Sequence, residues 1–435
     1  MTVRGILDRV LSPAGSGAGR RNWVILFDTG TTSLTSVVLL LGAARQLAPE
    51  SLSTFAVAQL IIVTAVGILR AGVFGPAMAA QRTTGRASIP LRWSVTIAQP
   101  ASLLATAVVV FLVPRPEGWL WLPSVALAGA VYLAQDALRN VLVSRNALKP
   151  ILIADVVTCL LVLGSVTIYG VPGSPPALML FWCAAGTPGL AYAIVATRRH
   201  TAQDAPVQSL AETWRLGRWG AVDAGLAAVA TLVPMIVSTT FLSMTASGSY
   251  RVLQSALGPL NILHSTLLTI MLVDSWQTTT LKGLESLRRK VFKILLCMVG
   301  GTVLYLAAAL PAMVALSGLR GPDVTRVAII VALAGLLGSA NTPFNGAALS
   351  LGRQHWGAGI RLATVALALT VSVGSNSWVP WQDPIGVSML GGAAVALAGW
   401  TTAYAVANRR EDVRVREHST AQKTAKRRAA RRRAT

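Results

Sequence analysis

The sequence alternates between long apolar runs and short polar connections. Because a helix needs about 20 mostly apolar residues to cross the hydrocarbon core of a bilayer, each long run predicts a membrane-spanning helix. Serine and asparagine dilute the eleventh of the twelve qualifying runs. The twelve are Trp23–Leu41, Phe55–Val73, Trp93–Val113, Trp119–Leu138, Ile151–Tyr169, Ala177–Ala196, Trp219–Leu242, Val252–Val273, Val291–Leu316, Val327–Leu349, Leu362–Val379 and Ile385–Val406.

Positive residues are divided unevenly between the connections that follow odd-numbered and even-numbered runs. The connections after odd runs hold only Arg45, Arg115, Arg251, Arg320 and Arg326. Arg70 lies within the second run, and the other 32 of the 38 Lys and Arg residues lie before the first run, after even runs or in the C-terminal tail. Because Lys and Arg are enriched in cytoplasmic loops, the alternation predicts a multi-pass protein of the plasma (inner) membrane with both termini in the cytoplasm.

Composition agrees with a membrane protein and changes how the charge is interpreted. Only 12% of the residues are charged, against about 25% in soluble domains. The net charge of +22 suits a nucleic-acid-binding protein, but the asymmetry between the loops already explains it, so we expect no nucleic-acid partner. The three cysteines lie far apart and no catalytic motif such as HExxH or a Walker A loop is present. We therefore predict no catalytic residue, no metal and no cofactor.

The two halves of the chain resemble each other at an offset of 195 residues. Asp28 in the first run then corresponds to Asp223 in the seventh, and Phe55 corresponds to Tyr250. Because six spans return the chain to the same side of the membrane, the halves would be parallel repeats. The predicted fold is an all-α integral membrane protein with twelve transmembrane helices in two six-helix lobes.

The predicted domain organisation follows from these boundaries. A basic cytoplasmic N-terminus covers residues 1–22, and an N-lobe of six spans covers residues 23–200. A polar cytoplasmic linker at 201–218 leads to a C-lobe at 219–407. The tail at 408–435 is basic and is expected to be disordered, although its alanine, lysine and arginine content also allows a helix on the membrane surface.

Three short motifs lie at the ends of predicted spans. Leu47–Ser51 followed by Phe55–Ala58 connects spans one and two, Ser247–Arg251 is the counterpart in the second half, and Ala348–Arg353 ends span ten. All three resemble the corresponding segments of the polysaccharide-transporter branch, the O-antigen flippases, of the multidrug/oligosaccharidyl-lipid/polysaccharide (MOP) exporter superfamily. The glycine expected before Phe55 is replaced here by Thr54. The resemblance implies a MATE-like architecture and, for some members, coupling to an ion through an acidic residue in span one.

Polar residues within the spans are candidates for function, because a charged group at membrane depth is costly and usually faces a cavity or a partner. Arginines match the oxygens of a pyrophosphate, and amides can bond to sugar hydroxyls. The candidate substrate-binding residues are Arg70, Arg251, Gln59, Gln254, Asn261 and His264, and the candidate ion-coupling residues are Asp28 and Asp223.

Structural roles compete with these functional ones. Asp136 and Arg139 are three residues apart on one helix and can simply pair. Asp155 and Asp274 are expected to lie near the membrane interface, where water hydrates them.

The sequence favours a flippase or exporter of a lipid-linked oligosaccharide in polysaccharide biosynthesis, working by alternating access. Its partners would be membrane lipids, the lipid-linked saccharide, a coupling H⁺ or Na⁺, and enzymes of the same biosynthetic route. Two alternatives remain: a cation-coupled multidrug exporter of the same superfamily, and a membrane enzyme or assembly subunit for an envelope polymer. The short outward connections, which carry few acidic residues and no histidine, make the enzyme the weaker alternative.

Overall fold

The computed structural model describes residues 17–78, 89–113, 119–145, 147–199, 209–237, 244–260, 264, 281–319, 322–351, 354–374 and 384–434. Within these ranges the chain forms no β-strand, and twelve helices have more than ten residues. A single turn, Trp93–Thr96, precedes the third of them. The twelve are α1 Gly17–Gln46, α2 Pro49–Leu69, α3 Ala98–Leu112, α4 Trp121–Ser144, α5 Leu148–Ile168, α6 Pro175–Arg199, α7 Leu210–Val237, α8 Met244–Gln254, α9 Leu281–Ser317, α10 Pro322–Ser350, α11 Gln354–Gly374 and α12 Pro384–Ala434.

The helices have the length and surface of membrane spans. Among the described residues, eight helices are long and apolar enough to cross a bilayer, and α11 contains a shorter apolar stretch. Large apolar side chains point outward along them, including Phe111, Leu304 and Tyr169, each more than 70% exposed. Such a surface is normal against lipid and costly in water. The helices α1 and α4 are not among the eight, and they carry Asp28, Asp136 and Arg139 inside the bundle.

Proline and glycine set the helix boundaries at one end of the bundle, which we call the proline–glycine end. Helices α2, α6, α10 and α12 begin with a proline. Proline is favoured at the first position of a helix, because the N–H that it lacks would have no hydrogen-bond partner within the helix. Helices α5 and α9 are followed by Gly170 and Gly318, with φ of 75° and 71°, the left-handed conformation that ends many helices. The Gln46 side chain accepts a hydrogen bond from Val171 N at 2.7 Å, which joins α1 to the α5–α6 connection there.

The opposite end, which we call the basic end, is joined by arginines. Arg145 donates to Thr197 O at 3.0 Å and links the ends of α4 and α6. Arg288 on α9 donates to Asn408 Oδ1 at 3.0 Å and lies 3.5 Å from Asp412 Oδ2 on α12.

Helix α12 continues through the basic tail to Ala434. The prediction that residues 408–435 are disordered is therefore wrong for the described part of the tail, up to residue 434. Alanine, arginine, lysine and glutamate dominate this segment, and these residues have the highest helix propensities. Their charge prevents burial but does not disfavour the helical backbone. The second half of the predicted linker is also helical, because α7 begins at Leu210.

The same helix packings recur in both halves of the chain, as the predicted repeat requires. In the first half α1 packs on α5, α4 on α6, α5 on α6, and α3 on α4. In the second half α7 packs on α11, α10 on α12, α11 on α12, and α9 on α10. Adding six to each number converts one set into the other, so the described helices form two six-helix lobes with the same architecture.

The lobes meet where α2 packs on α8 and on α7. Near the proline–glycine end, Gly248 N donates to Ser53 Oγ at 3.1 Å. These two residues are 195 positions apart, which is the offset that relates the halves. Equivalent residues can touch only close to the axis that relates their lobes, so this contact marks a pseudo-two-fold axis. Phe55 and Tyr250, another equivalent pair, are both fully buried.

Nearer the basic end, α2 changes into a π-helical turn at Arg70–Phe74. The turn packs closely against α7: a Cβ on Gly217 would overlap the carbonyl oxygen of Gly72, and a Cβ on Gly220 would lie 2.7 Å from Ala71 O. A π-turn inserts one residue into a helix and is frequent at functional sites. Here it directs Arg70 into the N-lobe while the adjacent backbone contacts the C-lobe.

Candidate functional site

Five charged side chains from four helices meet in the basic-end half of the N-lobe, and we call them the N-lobe charge cluster. They are Asp28 on α1, Arg70 in the π-turn of α2, Asp136 and Arg139 on α4, and Asp155 on α5. Asp136 and Arg139 face the same way because residues three apart are neighbours on a helix.

Arg139 is the centre of the cluster. Its guanidinium contacts all three carboxylates: Nε lies 3.1 Å from Asp28 Oδ2, Nη1 lies 3.6 Å from Asp136 Oδ1, and Nη2 pairs with Asp155 Oδ2. Nη2 also lies 2.6 Å from Thr32 Oγ1. Its side chain is only 11% exposed, so the carboxylates replace the water that a free guanidinium would need.

Arg70 occupies the edge of the cluster. It pairs with Asp136, donating from Nε to Oδ1 at 2.9 Å, while its side chain remains 40% exposed. Neutral groups complete the shell: Gln135 Nε2 donates to Asp155 Oδ1 at 3.0 Å, and Asn140 Nδ2 donates to Asp136 Oδ2 at 3.2 Å. Arg70 is thus the one arginine of the cluster that solvent or a ligand reaches directly.

The cluster contains one more acid than base. Three carboxylates face two guanidiniums, so the fully ionised cluster has a formal charge of −1. One carboxylate oxygen, Asp28 Oδ1, is buried and has no hydrogen-bond partner among the described residues. A buried net charge is strongly disfavoured at membrane depth. One proton or one monovalent cation would neutralise the cluster.

A second polar region is a cavity of about 430 Å³ inside the C-lobe, which we call the C-lobe cavity. It is bounded by α7, α8, α10, α11, α12 and His264. Its polar lining includes Gln254, Asn341, Asn345, Ser388 and Arg361. His264 Nε2 lies 3.0 Å from Ser339 Oγ on α10, at hydrogen-bond distance. Ser339 Oγ in turn lies 2.7 Å from Thr302 Oγ1 on α9.

Asp223 and Arg361 form an ion pair at the margin of the C-lobe cavity. Arg361 Nε lies 3.3 Å from Asp223 Oδ1, and the two side chains are 28% and 40% exposed. Helices α7 and α11, which carry Asp223 and Arg361, are the repeat counterparts of α1 and α5, which carry Asp28 and Asp155. In the C-lobe, however, a basic residue on the second helix faces the acid directly, so this pair is neutral.

The structure places most of the predicted residues in two separate regions. Asp28 and Arg70 belong to the N-lobe charge cluster, while Gln254 and His264 line the C-lobe cavity. Asp223 pairs at the cavity margin. Asn261 lies outside the described residues.

Two predicted residues belong to neither region. Gln59 on α2 is fully buried, and neither amide atom has a hydrogen-bond partner in the described chain. Arg251 on α8 is partly buried, and its Nε has no partner there either. Each residue therefore has a buried polar atom that a ligand or water would satisfy.

The competing structural interpretations have mixed outcomes. The expected pairing of Asp136 with Arg139 is confirmed. The expectation that Asp155 is hydrated at the interface is wrong: it is 5% exposed and ion-paired, because Arg139 reaches it from α4. Asp274 lies outside the described residues.

Sequence reasoning overlooked several residues of the C-lobe cavity. Asn341 and Asn345 are four residues apart in span ten, a spacing that puts both amides on one face of a helix. That signal was available in the sequence. Arg361 and Ser388 had no comparable signal: Arg361 lies just before the eleventh run among the basic loop residues, and Ser388 has no polar neighbour within one helical turn.

Solved structures share this fold. An inward-facing MATE family transporter of the MOP superfamily matches with a TM-score of 0.59 and 11% identity, over 88% of this chain and 95% of that chain. A variant of the Vibrio cholerae MATE transporter VcmN matches with a TM-score of 0.54 and 16% identity, over 93% and 98%. The lipid II flippase MurJ, in an inward closed conformation, matches with a TM-score of 0.51 and 14% identity, over 90% and 91%.

No protein-family model matches the sequence, and the comparison with curated proteins gives no match. At 11–16% identity the structural matches establish the fold alone. The chain is an all-α membrane protein with the architecture shared by MATE transporters and MurJ.

Proposed function

We propose that this protein is a cation-coupled transporter that flips or exports a lipid-linked oligosaccharide by alternating access. It would lie in the plasma (inner) membrane with both termini in the cytoplasm. The fold supports transport rather than catalysis, because its structural counterparts are named as transporters and a flippase. The predicted distribution of basic residues supports the orientation, with the basic end facing the cytoplasm.

The observation that carries the proposal is the unequal number of acids and bases in the N-lobe charge cluster. A buried cluster with one excess carboxylate takes up a proton or Na⁺ and releases it when the site is exposed to the other side. Asp28 is the proposed binding residue, because Asp28 Oδ1 is a buried carboxylate oxygen with no partner in the described part of the chain. Arg139 holds the three carboxylates close enough that loading one changes its pairing with the others.

Binding of the substrate's anionic linkage is proposed for the two arginines that remain partly available. Arg70 is 40% exposed at the edge of the cluster, and Arg251 has a buried Nε that no described residue binds. A pyrophosphate is recognised well by planar guanidinium groups. If the anion draws Arg70 away from Asp136, the cluster gains negative charge and binds a cation more strongly, which couples substrate to ion.

Transport by reconstituted protein tests this proposal. Vesicles containing the full chain and a fluorescent lipid-linked pyrophosphoryl oligosaccharide would be given a pH gradient or a Na⁺ gradient. We expect one gradient to accelerate transfer of the lipid between leaflets. The Asp28→Asn variant should transfer at the same slow rate with and without the gradient, because its neutral amide leaves the cluster balanced without a bound cation.

The control is Glu285→Gln, which also removes a carboxylate but at an exposed ion pair with Arg289. This variant should respond to the gradient like the wild type, since exposed pairs contribute little. An Asp28→Asn variant with an undiminished gradient response would refute coupling at this site. Transfer of an organic cation but not of the lipid-linked saccharide would instead favour a multidrug exporter.

A further inference from the structure

We propose that the C-lobe cavity is a binding site for an uncharged, hydroxyl-rich ring, the sugar head of the transported molecule. The inference rests on the proposed function and deepens it, because it assigns the saccharide to the C-lobe and the cation to the N-lobe.

Several polar side chains that line the cavity have atoms without hydrogen-bond partners. The Oδ1 atoms of Asn341 and Asn345 are buried and have no hydrogen-bond partner among the described residues. Ser388 Oγ on α12 is in the same state, and its residue is 5% exposed. Buried polar atoms are nearly always paired. Asn341 and Asn345 line the cavity from α10 and Ser388 lines it from α12, so a rotation of each side chain would turn its unpaired atom toward a ligand or water in the cavity.

The type of group specifies the ligand. An amide presents one acceptor and two donors, which complement a hydroxyl that both donates and accepts. Asn341 and Asn345 lie one turn apart on α10, so their amides can contact two positions along a ring. Gln254 adds a third amide from α8. Its Nε2 donates a weak hydrogen bond to Met389 Sδ at 3.5 Å.

The charge of the cavity argues against other ligand classes. Among the described residues that line it, none is acidic, and the one arginine, Arg361, is paired with Asp223. An organic cation would find no unpaired carboxylate there, and a phosphate would have to break an existing ion pair. A neutral polyol requires neither.

The size and course of the cavity fit an extended head group. Its volume of about 430 Å³ lies within the roughly 300–1,000 Å³ usual for small-molecule sites. Along α12 its lining runs from Ile385 to Ala396, which at 1.5 Å per residue is about 17 Å. The cavity therefore follows the direction of transport over about half of the hydrocarbon core.

Binding of small methyl glycosides tests the site. The full chain would be held in lipid nanodiscs, without glycoside detergents that would occupy the cavity. The probes are methyl glycosides of glucose, galactose, rhamnose and N-acetylglucosamine, with choline and inorganic pyrophosphate as charged comparisons. We expect at least one glycoside to raise the unfolding temperature saturably, while choline and pyrophosphate do not compete with it.

Variants locate the binding. Asn341→Ala and Asn345→Ala should each weaken glycoside binding about three- to tenfold, the effect of losing one neutral hydrogen bond. Gln99→Ala removes an amide of similar burial from α3 in the N-lobe and should bind like the wild type. Asn341→Asp keeps the shape of the side chain and tests the same contact if the alanine variants fold poorly; it should also weaken glycoside binding.

The proposal is overturned if no glycoside stabilises the protein, if choline or pyrophosphate displaces the glycoside, or if the cavity variants bind it like the wild type. Glycoside binding and gradient-driven transfer are separate measurements. Loss of the gradient response in Asp28→Asn tests the proposed function, and loss of glycoside affinity in Asn341→Ala tests this site.

Discussion

At the scale of single residues, Arg139 decides whether the N-lobe charge cluster is stable. One guanidinium offsets three carboxylates, with help from Arg70 only at the edge. Removing one partner of a buried ion pair is far more destabilising than replacing the whole pair by apolar residues, because the remaining charge stays buried without a partner. The cluster thus depends on a residue that the sequence shows only as one half of a pair with Asp136.

We expect Arg139→Gln to lower the free energy of unfolding by about 3–5 kcal/mol, since it leaves three buried carboxylates with one arginine. The measurement is the unfolding temperature of the purified protein. Arg289→Gln is the matched control: that arginine is 73% exposed, so the effect should stay within about 0.5 kcal/mol. Adding Asp155→Asn to Arg139→Gln should recover part of the loss, and a further loss would contradict the charge explanation.

At the scale of helices, the π-turn of α2 joins the N-lobe charge cluster to the interface between lobes. Arg70 begins the turn and binds Asp136, while Ala71 and Gly72 present carbonyl oxygens to glycines of α7. A change in the pairing of Arg70 therefore acts on the segment of α2 that touches the other lobe. Close packing here requires that α7 have no side chain at Gly217 and Gly220.

We expect Gly217→Ala to destabilise the protein and impair transport, because the new methyl group would overlap Gly72 O. Gly225→Ala, two turns along the same helix, has open space around its Cβ. It should leave stability unchanged or raise it by up to about 1 kcal/mol through helix propensity. Unfolding temperatures and transfer rates of both variants provide the comparison, and equal behaviour of the two would rule out a packing constraint.

The tail of α12 is helical up to Ala434. Its first part is attached to the C-lobe, because Arg288 on α9 contacts Asn408 and Asp412 and Val415 is buried. We expect removal of residues 418–435 to leave the unfolding temperature unchanged and to weaken binding to anionic vesicles, to which clusters of basic residues are attracted. A clear fall in the unfolding temperature would show that the tail supports the lobe.

Some features of these helices could be predicted from the sequence and others could not. Hydrophobic runs and basic loops depend on composition, so twelve helices and two halves were predictable. The π-turn, the role of Arg139 and the C-lobe cavity depend on which helices become neighbours, and a single sequence does not contain that information. The prediction of a disordered tail differs from the structure for another reason. It was based on the high charge of the segment, although the residues there favour a helix.

At the scale of the whole molecule, α2 contacts the other lobe at two places, with α8 near the proline–glycine end and with α7 near the basic end. Alternating access requires the lobes to separate at one end and then at the other. The contact between Ser53 and Gly248 lies near the proline–glycine end, which the orientation proposed above places outside.

A disulfide between Ser53→Cys and Gly248→Cys should block transport by preventing the outer end from opening. A Cβ on Gly248 would lie 3.0 Å from Ser53 Oγ, close enough for a cross-link after modest adjustment. The three native cysteines would first be replaced, and reduction should restore transport. A cross-link within the N-lobe, between Gly42→Cys and Val166→Cys, should leave transport intact, and block by both pairs would contradict movement between rigid lobes.

The contact between residues 195 positions apart also bears on the direction of the proposed transport. With parallel repeats the two-fold axis runs along the membrane normal, so exchanging the lobes returns the same face of the protein to the same side. Inward-open and outward-open states are then not related by symmetry, unlike those of transporters built from inverted repeats. Their energies must differ through local chemistry. The N-lobe charge cluster, with a formal charge of −1 in the basic-end half of its lobe, is such a feature, because it gives the two ends of the protein different electrostatic environments.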